Sequence, residues 1–240
     1  MSADKMRLDQ AGTRLELARV IFIGRTFEEY MRMFDLSTEE LEGKSVLDCP
    51  AGACSFTAKG SAKGLDITAC DIAYDHDIDT LEDKGRLDVE HATTNMADAS
   101  ANFRWEYFRS IPDLQAARLQ ALEDCVQDMA SRPERYIPAA LPVLPFKDRQ
   151  FDLVLSAHFL FMYADRLDKI FHKAAVDELL RVAREELRIF PLVNLAGERY
   201  AGLDPLIADL KSRGYEVLEQ TVSYEFQYQA NSMLRIRCRK

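Results

Sequence analysis

The 240-residue chain is poor in several features that would announce a partner. It has no run of five basic residues, and its formal net charge is −9. An acidic chain repels phosphate backbones, so a large nucleic-acid substrate is not expected. Its apolar runs are short, well below the length of a membrane span, and no membrane association is expected. The amino-terminal stretch MSADKMRLDQAG is too polar for a secretion signal, which points to a cytoplasmic location. Only five cysteines occur, Cys49, Cys54, Cys70, Cys125 and Cys238, and they lack paired short spacings. That pattern argues against a disulfide framework or a zinc ribbon and fits small buried hydrophobes in a reducing compartment. His76 with Asp75, Asp77 and Asp79 matches no metal-ligand spacing; an acidic helix start accounts for the group, and no metal is expected. Glycine is scarce as well, with ten in all and none between Gly85 and Gly197.

What is present is a change of period along the chain. Apolar residues at Leu17, Val20, Ile21, Phe27, Met31 and Phe34 have helical spacing across 15–34, interrupted near Gly24. Thr26 with Glu29 forms a capping-box pattern that starts a second helix, and Ser37 with Glu40 repeats it in a short helix stopped by Gly43. From Ser45 the pattern becomes strand-like. A strand over 45–49, a helix over 55–63 ending at Gly64 and a strand over 65–71 imply parallel strands and a right-handed crossover. Residues 74–132 then read as mostly helical, with one helix over 79–95 and another carrying Leu114, Ala117, Arg118, Ala121, Leu122, Cys125, Val126 and Met129. This insertion is too long for one crossover and predicts a cap or an extra layer.

Alternation resumes with a short strand over 135–139, the proline-marked LPVLPF loop and a strand over 151–156. A helix over 167–182 follows, with Ile170, Phe171, Ala174, Leu179 and Leu180 facing inward. A strand over 186–190 ends at Pro191, a helix over 205–212 is closed by Gly214, and strands over 215–224 and 233–239 are joined by a short turn. The expected fold is α/β, a doubly wound and mostly parallel seven-stranded sheet with an antiparallel last strand. It has N-terminal helices and a helical insertion after the second strand. Residues 1–42 are expected to form a helical cover, and 43–240 a nucleoside-binding domain with its insert at about 75–133.

Residues 45–56 read SVLDCPAGACSF, and the second strand ends on Asp71 in DITACD. A strand-end acid, a small-residue loop, a helix and a second strand-end acid about twenty residues on build a nucleoside site at the carboxyl ends of parallel strands. Asp71 suits ribose hydroxyls. The loop carries only Gly52, with Pro50 and Cys54 where glycines are usual. Proline fixes φ and removes an amide donor, which serves a pyrophosphate poorly and weighs against a dinucleotide.

In these elements the chain resembles the class I S-adenosylmethionine-dependent methyltransferases, over roughly 43–240. VLDCPAGACSF is similar to the family's first motif and DITACD to its second strand. LPFKDRQFDLVLSAHFLF is similar to the loop and fourth strand of many small-molecule members, and the closing hairpin to the antiparallel last strand. The chain departs from the family at Pro50 and Cys54, and at Ala139, Ala140 and Leu141, where many relatives carry an acid. The resemblance implies S-adenosylmethionine as cofactor, S-adenosylhomocysteine as product and a small-molecule methyl acceptor. Two alternatives stay open. One is another chemistry of the same cofactor, such as cyclisation of its aminocarboxypropyl arm to azetidine-2-carboxylate with release of methylthioadenosine. The other is a non-catalytic relative that binds a nucleoside or a partner.

The resemblance also implies site residues. Cofactor contacts are expected from Arg25 and Tyr30 ahead of the nucleotide core, and from Asp48, Pro50, Ala51, Gly52 and Ala53 in the loop. Asp71 and Ile72 follow at the second strand, and Ala157, His158 and Phe159 after the fourth. Arg25 is the candidate for the cofactor's carboxylate and Asp48 for its amino group. His158, Tyr163 and Asn194 are the candidate catalytic residues, with His158 as a base because histidine titrates near neutrality. Asn194, Tyr224, Phe226, Tyr228 and Asn231 are candidates for a charge-poor acceptor pocket. Trp105 in FRWEYF is expected to pack the insert onto the domain. A sulfonium methyl is already activated, so alignment and exclusion of water are the main demands, and no strong nucleophile is required.

Overall fold

The computed structural model describes residues 21–96 and 100–238. Leu17 and Val20, in the first expected helix, lie outside the described residues, and residues 21–26 are not helical. One sheet contains β1 (Ser45–Asp48), β2 (Asp66–Asp71), β3 (Tyr136–Pro138), β4 (Phe151–Ala157), β5 (Ala183–Phe190), β6 (Glu216–Thr221) and β7 (Ser232–Arg237). The spatial order is β3-β2-β1-β4-β5-β7-β6. β7 runs antiparallel to both β5 and β6, and the remaining pairs are parallel.

The helices are α1 (Phe27–Met33), α2 (Thr38–Leu41), α3 (Phe56–Ala62), α4 (Ile78–Met96), α5 (Ile111–Ser131), α6 (Lys169–Val182) and α7 (Leu203–Ser212). α1 opens on a complete capping box between Thr26 and Glu29, as their spacing predicts. Strand residues alternate between the two faces. Val46 and Leu155 join Phe27 and Tyr30 of α1, Phe34 just after it and Phe56 of α3. Leu47 and Val154 join Ala175, Val176 and Leu179 of α6 and Leu203 and Leu210 of α7. Among the described residues no helix is long and apolar enough to cross a membrane.

The long insertion resolves into a crossover and an extra helix. α5 packs beside α3 and leads into β3, while α4 lies along α5. A Cβ at Gly85 would stand 2.6 Å from the Leu122 side chain, so glycine is what lets the two helices close on each other.

Two expectations are corrected. The inward face of α6 is His172, Ala175, Val176, Leu179 and Leu180, whereas Ile170 is 79% exposed and Phe171 and Ala174 are half-buried. His172 sets this rotation. Its ring nitrogens lie 2.8 and 2.9 Å from the carbonyl oxygens of Asp168 and Leu160, and its ring stacks on Tyr200. A polar residue whose ring lies among buried carbonyls takes the inward place, and the apolar pattern alone does not reveal it. The link between β6 and β7 is not a short turn. Residues 222–231 lie between them, and Tyr224 and Phe226 of this link are buried in the core.

Candidate functional site

β1 and β2 lie side by side, with Asp48 in register with Ala69, and Asp71 closes β2 at its carboxyl end. The Asp71 carboxylate accepts from the Gly52 amide and from the Ala73 amide, each at 2.9 Å. It therefore caps the turn after β2 and holds the glycine-poor loop against that strand. Tyr74 donates to the Gly52 carbonyl at 2.7 Å, and the Ala51 amide donates to the Cys70 carbonyl at 2.9 Å. Burial raises the Asp71 carboxyl above its ordinary value, and the two amides act against that rise. Ile72 beside it is partly exposed, and the Ala139 amide donates to the Asp71 carbonyl, bringing residues 139–141 to the same corner.

Asp48 is fully buried. Tyr30 donates to Oδ1 at 3.1 Å, while Oδ2 has no partner among the described residues. Burial lifts this carboxyl well above the ordinary range, against the pull of the Tyr30 hydrogen bond. The Tyr30 ring stacks on Phe56 at 4.7 Å, and its hydroxyl lies 3.3 Å from Cys54 Sγ. Burial pushes the Cys54 thiol up to about 12, so it stays protonated at neutral pH.

Residues 21–26 run along the loop and explain how it works with one glycine. The Arg25 amide donates to Cys54 Sγ at 3.2 Å, the Ser55 amide to the Arg25 carbonyl at 3.0 Å, and the Phe27 amide to Ser55 Oγ at 3.0 Å. A Cβ at Gly24 would sit 1.8 Å from the Ala53 carbonyl oxygen. The close backbone approach missing at Cys54 is thus supplied by a glycine in the facing segment. Phe22 is buried against Ala51, Ala53, Ala73 and Tyr74, and its amide donates to Asp88 of α4 at 2.7 Å.

The carboxyl end of β4 adds His158. Its backbone takes the left-handed region at φ 51°, and its amide donates to the Phe190 carbonyl at 2.7 Å. Nδ1 is buried without a partner among the described residues. Burial, then the charges of Arg25 and Arg118, hold the imidazole well below its ordinary value, so it is neutral at pH 7 and a weaker base than free histidine. Arg25 Nε is likewise buried and unpartnered. Tyr163 lies in the same field: burial raises its hydroxyl, and Arg25 acts against the rise. Phe159 lies 6.3 Å from the Tyr163 ring.

Other expected residues lie apart. Asn194 Oδ1 accepts from the Ala196 and Glu198 amides, and Nδ2 donates to the Glu198 carboxylate, so its side chain is committed to the 194–198 turn. Tyr228 is exposed beneath Arg104, and Asn231 donates to Glu225. Tyr224 and Phe226 point inward. Phe226 is the centre of an aromatic group with Phe103, Trp105 and Phe108, which packs the insert onto the 222–231 link as expected for Trp105.

Sequence reasoning missed the strongest polar feature nearby. Glu29 is fully buried and accepts four hydrogen bonds: two from Arg118 at 2.5 and 2.9 Å, one from Tyr224 at 2.6 Å and one from the Thr26 amide at 2.9 Å. This carboxylate ties α1, α5 and the 222–231 link together. The available signal was Arg118, a charge within the apolar stripe of α5. Among the described residues no three His, Cys, Asp or Glu side chains group closely enough to hold a metal ion.

This strand order with an antiparallel β7 is the architecture of the class I S-adenosylmethionine-dependent methyltransferases, a Rossmann-like fold. The chain is 36% identical over 224 residues to an uncharacterized protein of Methanocaldococcus jannaschii, covering 93% of this chain and 98% of that one, and it belongs to the same family. No family model matches the chain. Among solved structures it is similar to the magnesium protoporphyrin IX methyltransferase of Synechocystis with bound S-adenosylmethionine, at 12% identity over 88% of this chain and 76% of that chain, TM-score 0.49. It is also similar to a TehB-like S-adenosylmethionine-dependent methyltransferase of Corynebacterium glutamicum, at 17% identity over 88% of each chain, TM-score 0.49.

Proposed function

We propose that the chain binds S-adenosylmethionine and transfers its methyl group to a small-molecule acceptor. The observation that carries this reading is a set of buried polar atoms without a partner among the described residues, Asp48 Oδ2, His158 Nδ1 and Arg25 Nε, at and beside the carboxyl ends of β1 and β4. The cofactor's amino acid arm offers complementary groups: an ammonium for Asp48 and a carboxylate for the Arg25 guanidinium. Asp71 keeps lone pairs for ribose hydroxyls beyond its two amide bonds. Pro50 to Ala53 would contact the arm, Ile72 and Ala139 would lie beside the base, and Ala157 and Phe159 would complete the contacts after β4.

Bound cofactor supplies an activated methyl group. The protein's part is to align an acceptor and keep water out. The 21–26 segment runs along the loop on one side and is tied to α4 by the hydrogen bond from the Phe22 amide to Asp88. Neutral His158 and Tyr163 serve as hydrogen-bonding partners to an acceptor that needs little deprotonation. Chromatographic product analysis tests the reading. S-adenosylhomocysteine should accumulate only when a small-molecule extract is supplied, and the cofactor alone should yield no methylthioadenosine. Methylthioadenosine formed without an acceptor would replace methyl transfer with cyclisation of the arm.

A further inference from the structure

Asp48 stands out among the buried groups because, among the described residues, nothing of opposite charge acts on it. Tyr30 of α1 supplies its hydrogen bond, and Asp71 of β2 is the other group acting on it. Cys54 of the loop, Cys49 after β1, Tyr74 after β2 and Cys125 of α5 all feel its charge, and none is a cation. The side chain is fully buried, with one oxygen held by a neutral hydroxyl and the other without a partner among the described residues. A bare carboxylate placed so is strongly disfavoured against its neutral form. Asp71 differs because backbone amides hold both of its oxygens.

We infer that Asp48 is a neutral acid in the ligand-free protein and gives up its proton when a protonated amine docks on Oδ2, so that ligand binding here releases one proton. This rests on the reading that the site takes a nucleoside carrying an ammonium group. The balance is simple: the carboxylic O–H bond breaks, its proton passes to solvent, and the carboxylate left behind pairs with the incoming ammonium. Tyr30 is the positioning residue. Its ring is held by Phe34 and Phe56, and its hydroxyl fixes Oδ1, which leaves Oδ2 for the ligand.

The test is calorimetric titration of the full chain with S-adenosylhomocysteine at pH 7, in two buffers of different ionisation enthalpy. About one proton released per ligand is expected, with affinity falling about tenfold for each pH unit below neutrality. Methylthioadenosine, which keeps the nucleoside but lacks the amine, should bind without proton release. Asp48→Asn should bind methylthioadenosine as the unaltered protein does, and S-adenosylhomocysteine more weakly with no release. Binding without release in the unaltered protein, or release that persists in Asp48→Asn, overturns the inference. Infrared difference spectra of the ligand-free proteins, unaltered minus Asp48→Asn, decide the point independently. A protonated-carboxyl band at pH 7 supports the inference, and an ionised-carboxylate band overturns it. Failure of S-adenosylhomocysteine to bind while the protonated band is present would refute the cofactor reading and leave the neutral Asp48 standing.

Discussion

Replacing Arg118 by leucine removes both guanidinium bonds to Glu29 and leaves a fully buried carboxylate with only the Thr26 amide and the Tyr224 hydroxyl. Breaking a buried pair from one side costs about 3–5 kcal/mol, because the remaining charge stays desolvated. At about 2–4 °C per kcal/mol for a chain of this size, Tm should fall by roughly 6–20 °C. The pH dependence carries the diagnosis. Burial alone would raise Glu29, but Arg118 outweighs it and holds the carboxyl below 4.5. In the unaltered protein the group therefore contributes stability above its unfolded value, and that stability is lost as pH falls through the lower folded value. Without Arg118, burial dominates and the folded value rises, so the variant loses stability as pH climbs through it. The gap between the two proteins should be widest near neutrality and shrink toward pH 5. Urea unfolding across that range measures it. A loss under about 1 kcal/mol at pH 7, or one that does not change with pH, refutes the reasoning.

Gly24→Ala places a methyl carbon against the Ala53 carbonyl and should cost about 1–3 kcal/mol, or else detach residues 21–26 and make Cys54 reactive to thiol reagents. An unchanged Tm with an unreactive Cys54 would contradict this. Ile170→Lys should change stability by less than about 0.5 kcal/mol, since the side chain is exposed, whereas His172→Leu strands the Leu160 carbonyl and should cost about 1–3 kcal/mol by thermal unfolding. Asp48, raised by burial, contributes stability at low pH that is lost as pH rises through its folded value. Asp48→Asn should therefore gain on the unaltered protein between pH 5 and pH 8, and a constant difference in Tm would count against a raised Asp48.

The central strands were legible in the sequence because they are short, apolar and followed by a turn signal, as in VLDCPAG and FDLVLSAHF. The paired acids were legible because position at a strand's carboxyl end is a topological fact. Contacts between distant segments were not. Glu29 looks like a capping residue, and only the fold shows that it also receives Arg118, 89 positions away, and Tyr224, 195 away. Gly24 looks like a helix breaker, and only the approach of residues 21–26 to the loop shows it taking over the role of an absent glycine. The face of α6 was misassigned because apolar spacing gives His172 no inward vote, yet two carbonyls and a stacked ring give it one.

Calorimetric titration with S-adenosylhomocysteine, on the unaltered chain and on Asp71→Asn, is the most direct test of the proposed cofactor. One site per chain is expected. The substitution should weaken binding about tenfold to a hundredfold, the worth of hydrogen bonds from ribose hydroxyls to a charged acceptor. No heat of binding at millimolar ligand, or equal affinity in both proteins, would contradict the cofactor site described at Asp48 and Asp71.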